Sequence, residues 1–418
     1  MKVYEHAFNV LNKVVFESIP FHVAVKSSLK KEKKKIIDPS FRSGIYSLSG
    51  CVLRHYYIFE RIVKKEYEGI EDNNALLMSL LLANNLFTKT CENDELLKYI
   101  KHECELDGGL LLEKYSDSSK LIPEEVKPET DEFYHLRYNL PLWLVRMWRK
   151  NCGPILSKRL YRGLSSKDLN SLRIDNNKIS DTDFINKYSD FKLLESGGIA
   201  YNRQIKNIKQ CEPVKNGDAL LCHGGYKYLL DQVDVDFLRG VAIYGGCSND
   251  LLKEMYASRG TNLKLEYLCG NQKHFFEVRE DIKDLGLMDL HVYECAYNAI
   301  ETCISKPVHA FFLFPENSFF QGLVDNPDYF LRIKQEDLDA YIQIQKALLN
   351  ESAPHVEEDG YLIYALPTVC KNETKRVIHN FLSEHSEFSL VEEKQLFPFD
   401  KYQTMLYFSI LRKEAEHD

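Results

Sequence analysis

A three-part chain is predicted from the sequence: an all-α bundle, a small α+β linker domain, and an α/β domain built on a mostly parallel sheet. Three observations carry this expectation. Apolar residues recur at three- and four-residue spacing to about residue 120. A polar stretch bearing Pro and Glu follows. From about Gly217, short apolar runs alternate with helix-length segments. The implied boundaries are 1–125, 126–215 and 216–418.

In the first part, Phe8, Val10, Leu11, Val14 and Val15 mark one face of a helix. A second helix is expected to start at Asp38-Pro39-Ser40, where Asp caps and Pro is tolerated in the first turn. It should run on through Ile45, Leu48, Val52, Tyr56 and Phe59. Leu76 to Phe87 is apolar nearly all round, which predicts a buried central helix. The stretch from Ile122-Pro123-Glu124-Glu125 to Asp131 reads as a linker. A short helix is expected from Pro141, with Leu144, Met147 and Trp148 on one side, and a strand over Ser171–Asp175.

In the last part the strand-like runs are Gly240–Tyr244, Leu263–Leu268, Val308–Phe314 and Gly360–Ala365. Helical stretches over Leu251–Ala257 and through Phe276, Val278 and Ile282 separate them, as in a doubly wound sheet. Such sheets hold ligands beyond the carboxyl ends of their strands.

Composition narrows the partners. The 418 residues carry a formal charge of −8, so any face that neutralises phosphates must be local. The densest basic run is Lys30-Lys31-Glu32-Lys33-Lys34-Lys35, beside Lys26; a solvated loop or helix end explains such a run equally. Eleven cysteines, none paired as Cys-x-x-Cys, argue against a disulfide framework and against a structural zinc site. No metal is expected. The start Met1-Lys2-Val3-Tyr4-Glu5-His6 lacks a secretory apolar core, and Ala75–Leu82 is far shorter than the ~20 residues a bilayer requires. The expectation is a cytoplasmic protein without a membrane role.

The order of these parts, with local matches along nearly the whole chain, resembles the RsmB/Sun family of 16S ribosomal RNA cytosine-5 methyltransferases. Asp38 to Arg54 followed by Tyr57 is similar to the family's NusB-like helix, which ends in a Leu-Arg pair, here Leu53-Arg54. Leu136-Arg137-Tyr138 with Pro141 and Trp143-Leu144 resembles its Leu-Arg-Tyr-Ser-x-Pro-x-Trp-Leu, and Leu172-Arg173-Ile174-Asp175 its Leu-Arg-Ile-Asn. Asn326-Pro327-Asp328 matches its Asn/His-Pro-Asp. Gly360-Tyr361-Leu362-Ile363-Tyr364, followed by Glu373 and Phe381-Leu382, tracks its last motif.

The resemblance implies a Rossmann-like domain that uses S-adenosylmethionine, a thiolate nucleophile added to carbon-6 of cytosine, and a second cysteine that helps release product. This chain departs from each. Leu366-Pro367 stands where the family's Thr-Cys belongs, so the nucleophile position is Pro367. Cys370, three residues on, is the nearby thiol, and such a displacement breaks near-attack geometry; a small core residue is the simpler role for it. Leu313-Phe314-Pro315-Glu316 puts Glu316 at the second cysteine. The cofactor loop is Ile243-Tyr244-Gly245-Gly246-Cys247-Ser248, where Gly245 and Gly246 keep a tight turn while the family's alanines and lysine are absent. The acid expected after the second strand falls at Cys269, and Glu294 stands in for the third-strand acid.

Four losses together imply a family member, degenerate in its cofactor and catalytic motifs, that keeps the fold without the chemistry. Ribosomal RNA, not DNA, is the partner the resemblance implies, with Lys31, Lys33, Lys34, Lys35, Arg54 and Arg137 as phosphate contacts. Two further readings stay open: an active methyltransferase with relocated groups, and an adaptor that binds a ribosome-assembly or transcription-factor protein through the NusB-like bundle. Phe311, Phe312, Phe314, Phe319 and Phe320 crowd the former cofactor region, and core packing is the default for such a cluster.

Overall fold

The computed structural model describes residues 2–30, 38–202, 204–205, 208–222, 224–236, 239–245, 249–261, 263–287, 290–318, 320, 326–400 and 404–415, except 166–170. The basic run expected at Lys31, Lys33, Lys34 and Lys35 lies outside the described residues. Two compact units form: Met1–Ser165 with Gly322–Gln335, and Ser166–Gln321 with Glu336–Asp418.

The first unit is helical: α1 (Val3–Val15), α2 (Phe21–Lys30), α3 (Pro39–Arg54), α4 (Tyr56–Glu66), α5 (Asp72–Ala83), α6 (Asn93–Cys104), α7 (Gly109–Lys114), α8 (Asp131–Tyr138) and α9 (Leu142–Ser165). Asp38 caps α3 as expected, its carboxylate accepting from the Ser40 amide at 2.9 Å. The apolar α5 is the centre, with every residue from Ala75 to Ala83 buried.

The expected single helix through Phe59 is instead two, broken at His55. The physical reason lies 80 residues away. Asn139, in the left-handed region with φ 54°, donates to the Leu53 carbonyl at 2.7 Å and accepts from the Tyr57 amide at 3.1 Å. One side chain thus satisfies backbone groups on both sides of the break. The helix expected at Pro141 is also longer, a 24-residue α9 interrupted where Gly153 takes φ 77° before Pro154. Leu144 and Trp148 are fully buried on it. Leu121 and Val126, in and beside the Pro- and Glu-bearing stretch, pack into the same helical core.

The second unit opens with a four-stranded antiparallel sheet of β1 (Ser171–Ile174), β2 (Lys192–Leu193), β3 (Ile199–Tyr201) and β4 (Ala219–Leu220), with α10 (Asp181–Lys187) and the one-turn α11 (Glu212–Lys215). There follow α12 (Gly224–Asp231), β5 (Val241–Gly245), α13 (Asp250–Arg259), β6 (Leu265–Cys269), α14 (Gln272–Leu285), β7 (Leu290–Glu294) and β8 (Val308–Phe314). After α15 (Tyr329–Arg332), which belongs to the helical unit, come α16 (Asp337–Ser352), β9 (Val356–Leu366), α17 (Lys375–Glu384), β10 (Phe388–Leu396) and β11 (Leu406–Lys413). The large sheet has the order β10-β11-β9-β8-β5-β6-β7. Its five strands β5 to β9 are parallel, and β11 and β10 are antiparallel additions. Val308–Phe314 is buried at all seven positions, as a central strand covered on both faces must be. The chain steps from β5 outward to β6 and β7, then returns to the other side of β5 as β8. That reversal is a switch point, and it opens the crevice at the carboxyl end of β5.

The two units differ in how they join distant sequence. In the second, Arg173 of β1 gives its Nε to both oxygens of Glu254 on α13, each at 2.9 Å, with both side chains buried. Its guanidinium also donates to the carbonyls of Ile174 and Gly198. Gly198 is required there: φ is +66°, and a Cβ would lie 2.7 Å from the Arg173 guanidinium. In the first unit, the buried Asp328 carboxylate accepts from the Phe21 amide at 3.1 Å and pairs with Arg332 at 2.7 Å. This holds the segment carrying Asn326-Pro327 against the start of α2.

Candidate functional site

Strand register places the expected cofactor residues in one row. Gly245 pairs with Cys269, Cys269 with Glu294, and Gly245 with Phe314, across the carboxyl edges of β8, β5, β6 and β7. Gly246 lies outside the described residues. Glu294 is exposed, whereas Cys269 is buried, and burial pushes its thiol up to about 12, aided by the Glu294 charge. Cys269 accordingly presents a neutral thiol where the family places an acid for ribose hydroxyls.

Buried aromatic side chains pack against the glycines of this edge, Tyr267 from the core on one face of the sheet and Tyr244 from the core on the other. A Cβ added at Gly245 would meet the Tyr267 hydroxyl at 2.4 Å and His274 Nε2 at 2.7 Å; one at Gly270 would meet the Tyr244 hydroxyl at 2.7 Å. Tyr267 and His274 are themselves in hydrogen-bond contact at 3.3 Å, and burial holds the His274 imidazole below its ordinary range. Asn271 caps α14 through the His274 amide at 2.9 Å, which fixes where the ring points. The Phe residues expected here are core: Phe311, Phe312, Phe314 and Phe320 are all buried, and Phe319 lies outside the described residues. The glycines thus make room for the protein's own phenols.

The two loops that carry the family's cysteines adjoin through a buried carboxyl. Glu373 accepts from the Ser318 amide at 2.8 Å and from Gln345 Nε2 at 3.2 Å, and its second oxygen lies 2.5 Å from Ser318 Oγ. Ser318 Oγ also lies 2.8 Å from Thr368 Oγ1, which in turn accepts from the Cys370 amide at 3.2 Å. Tyr364 donates to the Glu373 carbonyl at 2.7 Å. Burial raises the Glu373 carboxyl, against the pull of its hydrogen bonds from Ser318 and Gln345. The network joins Pro315–Ser318 to Leu366–Thr374, so Glu316 and Pro367 flank one brace.

Pro367 has no reactive atom. Cys370 is fully buried, and burial with the neighbouring Glu373 pushes its thiol up to about 12, away from the thiolate that attack needs. Glu316 is exposed; its carbonyl, not its carboxylate, takes the bond from Gln345 at 3.0 Å. Among the described residues no group of three His, Cys, Asp or Glu side chains could hold a metal ion, ten cysteines are free, and no helix is long and apolar enough to cross a membrane. Arg54 and Arg137 are both exposed in the helical unit, and Asn139 ties together the segments that bear them. The sequence reading did not single out Tyr267, His274, Ser318 or Thr368. Only the two tyrosines at strand positions next to glycine-bearing turns offered a signal.

A parallel sheet with two antiparallel additions and a switch-point crevice at its first strand defines a Rossmann-like methyltransferase fold. The crystal structure of PH0851 superimposes with a TM-score of 0.73, covering 98% of this chain and 99% of its own at 14% identity. A methyltransferase homologue from Pyrococcus horikoshii gives 0.57, covering 69% of this chain and all of its own at 13% identity. NSun6 from Pyrococcus horikoshii, solved with SFG, gives 0.54 over 69% and 99% at 10% identity. At these identities the likeness is one of fold. Residues 271–406 match the family model for 16S rRNA methyltransferase RsmB/F. Over 268 residues the chain is 25% identical to the probable ribosomal RNA small subunit methyltransferase B of Bacillus subtilis (strain 168), a match spanning 61% of this chain and 59% of that relative. The family-model and sequence matches support an RsmB/Sun family member, and the sequence match spans less than two thirds of that relative's length.

Proposed function

We propose that this chain is a non-catalytic member of its family, a ribosomal-RNA-binding or ribosome-assembly protein of the cytoplasm. In this reading 1–125 is a NusB-like RNA-binding bundle, 126–215 a linker with a small α+β domain, and 216–418 a methyltransferase-like domain without methyl transfer. The observation that carries it is the seating of Tyr267 and His274 over Gly245, with Tyr244 over Gly270. S-Adenosylmethionine needs backbone exposed at this edge and an acid for its ribose; here phenols cover the glycines, and Cys269 is a buried neutral thiol. The residues present do not fit the cofactor. Loss of the nucleophile at Pro367 points the same way.

Tritium transfer from S-adenosylmethionine to unmodified small-subunit ribosomal RNA tests the reading directly. The expected result is no incorporation above a heat-treated control. Stoichiometric or greater incorporation that disappears in Cys370→Ala would establish an enzyme with a relocated thiol, and the non-catalytic reading would be wrong.

A further inference from the structure

On the helical unit, α3 and the segment at Asn326-Pro327 enclose an open pocket of about 390 Å³. Its α3 wall presents Ser43, Ser47 and Arg54, at the i, i+4 and i+11 positions of one helix face, with Tyr46 beside them. The facing wall is Pro327 and Asn326, held in place by the Asp328 bond to the start of α2.

Three polar side chains of the α3 wall are unengaged among the described residues. Among the described residues Arg54, Ser43 and Ser47 form no ion pair or hydrogen bond, and all three are exposed. His22 lines the same mouth and is likewise exposed. The nearby acid, Asp328, is buried and already bound to the Phe21 amide and to Arg332, so it does not neutralise Arg54. Gly50, one turn before Arg54, keeps the helix face low: a Cβ there would touch the Arg54 guanidinium at 3.4 Å and Phe21 at 3.6 Å. An unpaired guanidinium with serine hydroxyls two and three turns along the same helix face suits a nucleic-acid strand, one phosphate taking a bidentate charge-assisted bond from Arg and the neighbouring backbone taking bonds from Ser. The volume lies in the range that encloses a small organic ligand. Pro327 and the part of the Tyr46 ring left open by Phe21 and Arg42 supply apolar surface for a ribose or base.

We propose that this pocket binds one nucleotide of a single-stranded RNA, its phosphate on Arg54 and its nucleoside against Tyr46 and Pro327. The proposal rests on the RNA-binding reading above and adds its location. It also gives a role to the Asn-Pro-Asp segment, which leaves the methyltransferase-like unit to build one wall.

The test is fluorescence anisotropy of the full chain with a labelled, unstructured 12-nucleotide RNA at several salt concentrations. Arg54→Gln is expected to weaken binding about tenfold, the cost of a lost charged hydrogen bond, and to lower the salt slope by about 0.7, one single-strand phosphate. Ser47→Tyr fills the pocket without changing charge and is expected to weaken binding comparably while leaving the salt slope in place. Both residues are exposed, so unchanged thermal melting serves as the control for folding. Variants that bind like the parent would overturn the pocket and leave RNA binding intact. No binding by the parent itself would overturn the RNA reading along with it. Uridine monophosphate and inorganic phosphate separate the sources: competition by millimolar nucleotide but not phosphate supports a nucleotide site, and equal competition by phosphate alone would reduce it to a bare anion site and contradict the proposal.

Discussion

The carboxyl edge of the large sheet and the α3 face of the helical unit are both lined with polar residues, and they use them in opposite ways. At the sheet edge, Tyr267 contacts His274, Glu373 holds Ser318 and Gln345, and Thr368 holds Cys370. Those groups are buried and turned on one another. On α3, Arg54, Ser43 and Ser47 face solvent without partners among the described residues. A buried polar group must be satisfied internally, whereas an unpartnered exposed cation keeps its bonding capacity for a ligand. The family resemblance points to the sheet edge, whereas Arg54, Ser43 and Ser47, polar groups without partners among the described residues, lie on α3.

The largest expected effect tests the contrast between engaged and free groups at the buried Arg173–Glu254 pair that joins β1 to α13. Arg173→Ala strands Glu254 in the core and should cost about 3–5 kcal/mol in denaturant unfolding. Arg54→Ala, on the exposed α3 face, should change stability by no more than about 0.5 kcal/mol. Similar costs for both would erase the distinction between internally engaged and free groups. Glu373→Ala comes next. It removes the carboxylate that accepts from the Ser318 and Gln345 amides and should cost about 2–3 kcal/mol, with Glu373→Gln recovering part of the loss.

A smaller effect is a pH dependence. Burial lowers the pKa of His55 and His135 in the helical unit and of His274 in the sheet unit. Each is neutral when folded, and the unfolded chain binds its proton first, near the ordinary value of about 6.5. Stability is therefore full above that value and declines as pH falls toward the depressed folded values. Glu373 acts with the opposite sign: its raised folded pKa adds stability below its unfolded value, and that share is lost as pH rises through the folded one. Thermal melts between pH 7.5 and 5.5 should show declining stability, less steep in His274→Gln. A pH-independent melt in the parent would mean these imidazoles are not buried neutral.

Much of the architecture was legible because period and register are local properties. Val308–Phe314, Val241–Gly245 and the α5 core follow from runs of apolar residues alone. Gly245, Cys269 and Glu294 fell into one row because parallel strands aligned by their turns share a carboxyl edge. What was not legible depended on side chains far apart in sequence. Asn139 breaks α3 from α4 across more than 80 positions, and Asp328 docks on Phe21 across 307. The β10–β11 pair was also missed: Phe388–Leu396 is charged on its outward positions and lacks the continuous apolar run that marks a central strand. The sequence pointed to Phe311, Phe312, Phe314, Phe319 and Phe320 as the side chains crowding this region; the contact of Tyr267 with Gly245 escaped because it rests on how far a tyrosine reaches over a glycine two positions up the neighbouring strand.

The proposal that the residues at the carboxyl edge do not fit the cofactor is tested most directly by calorimetry of S-adenosylmethionine and S-adenosylhomocysteine with the full chain. The account predicts no heat of binding at millimolar ligand in a protein that melts cooperatively. Micromolar affinity for either, worth roughly 8 kcal/mol, would contradict it, because Tyr244, Tyr267 and His274 would then have to leave the positions they hold over Gly270 and Gly245.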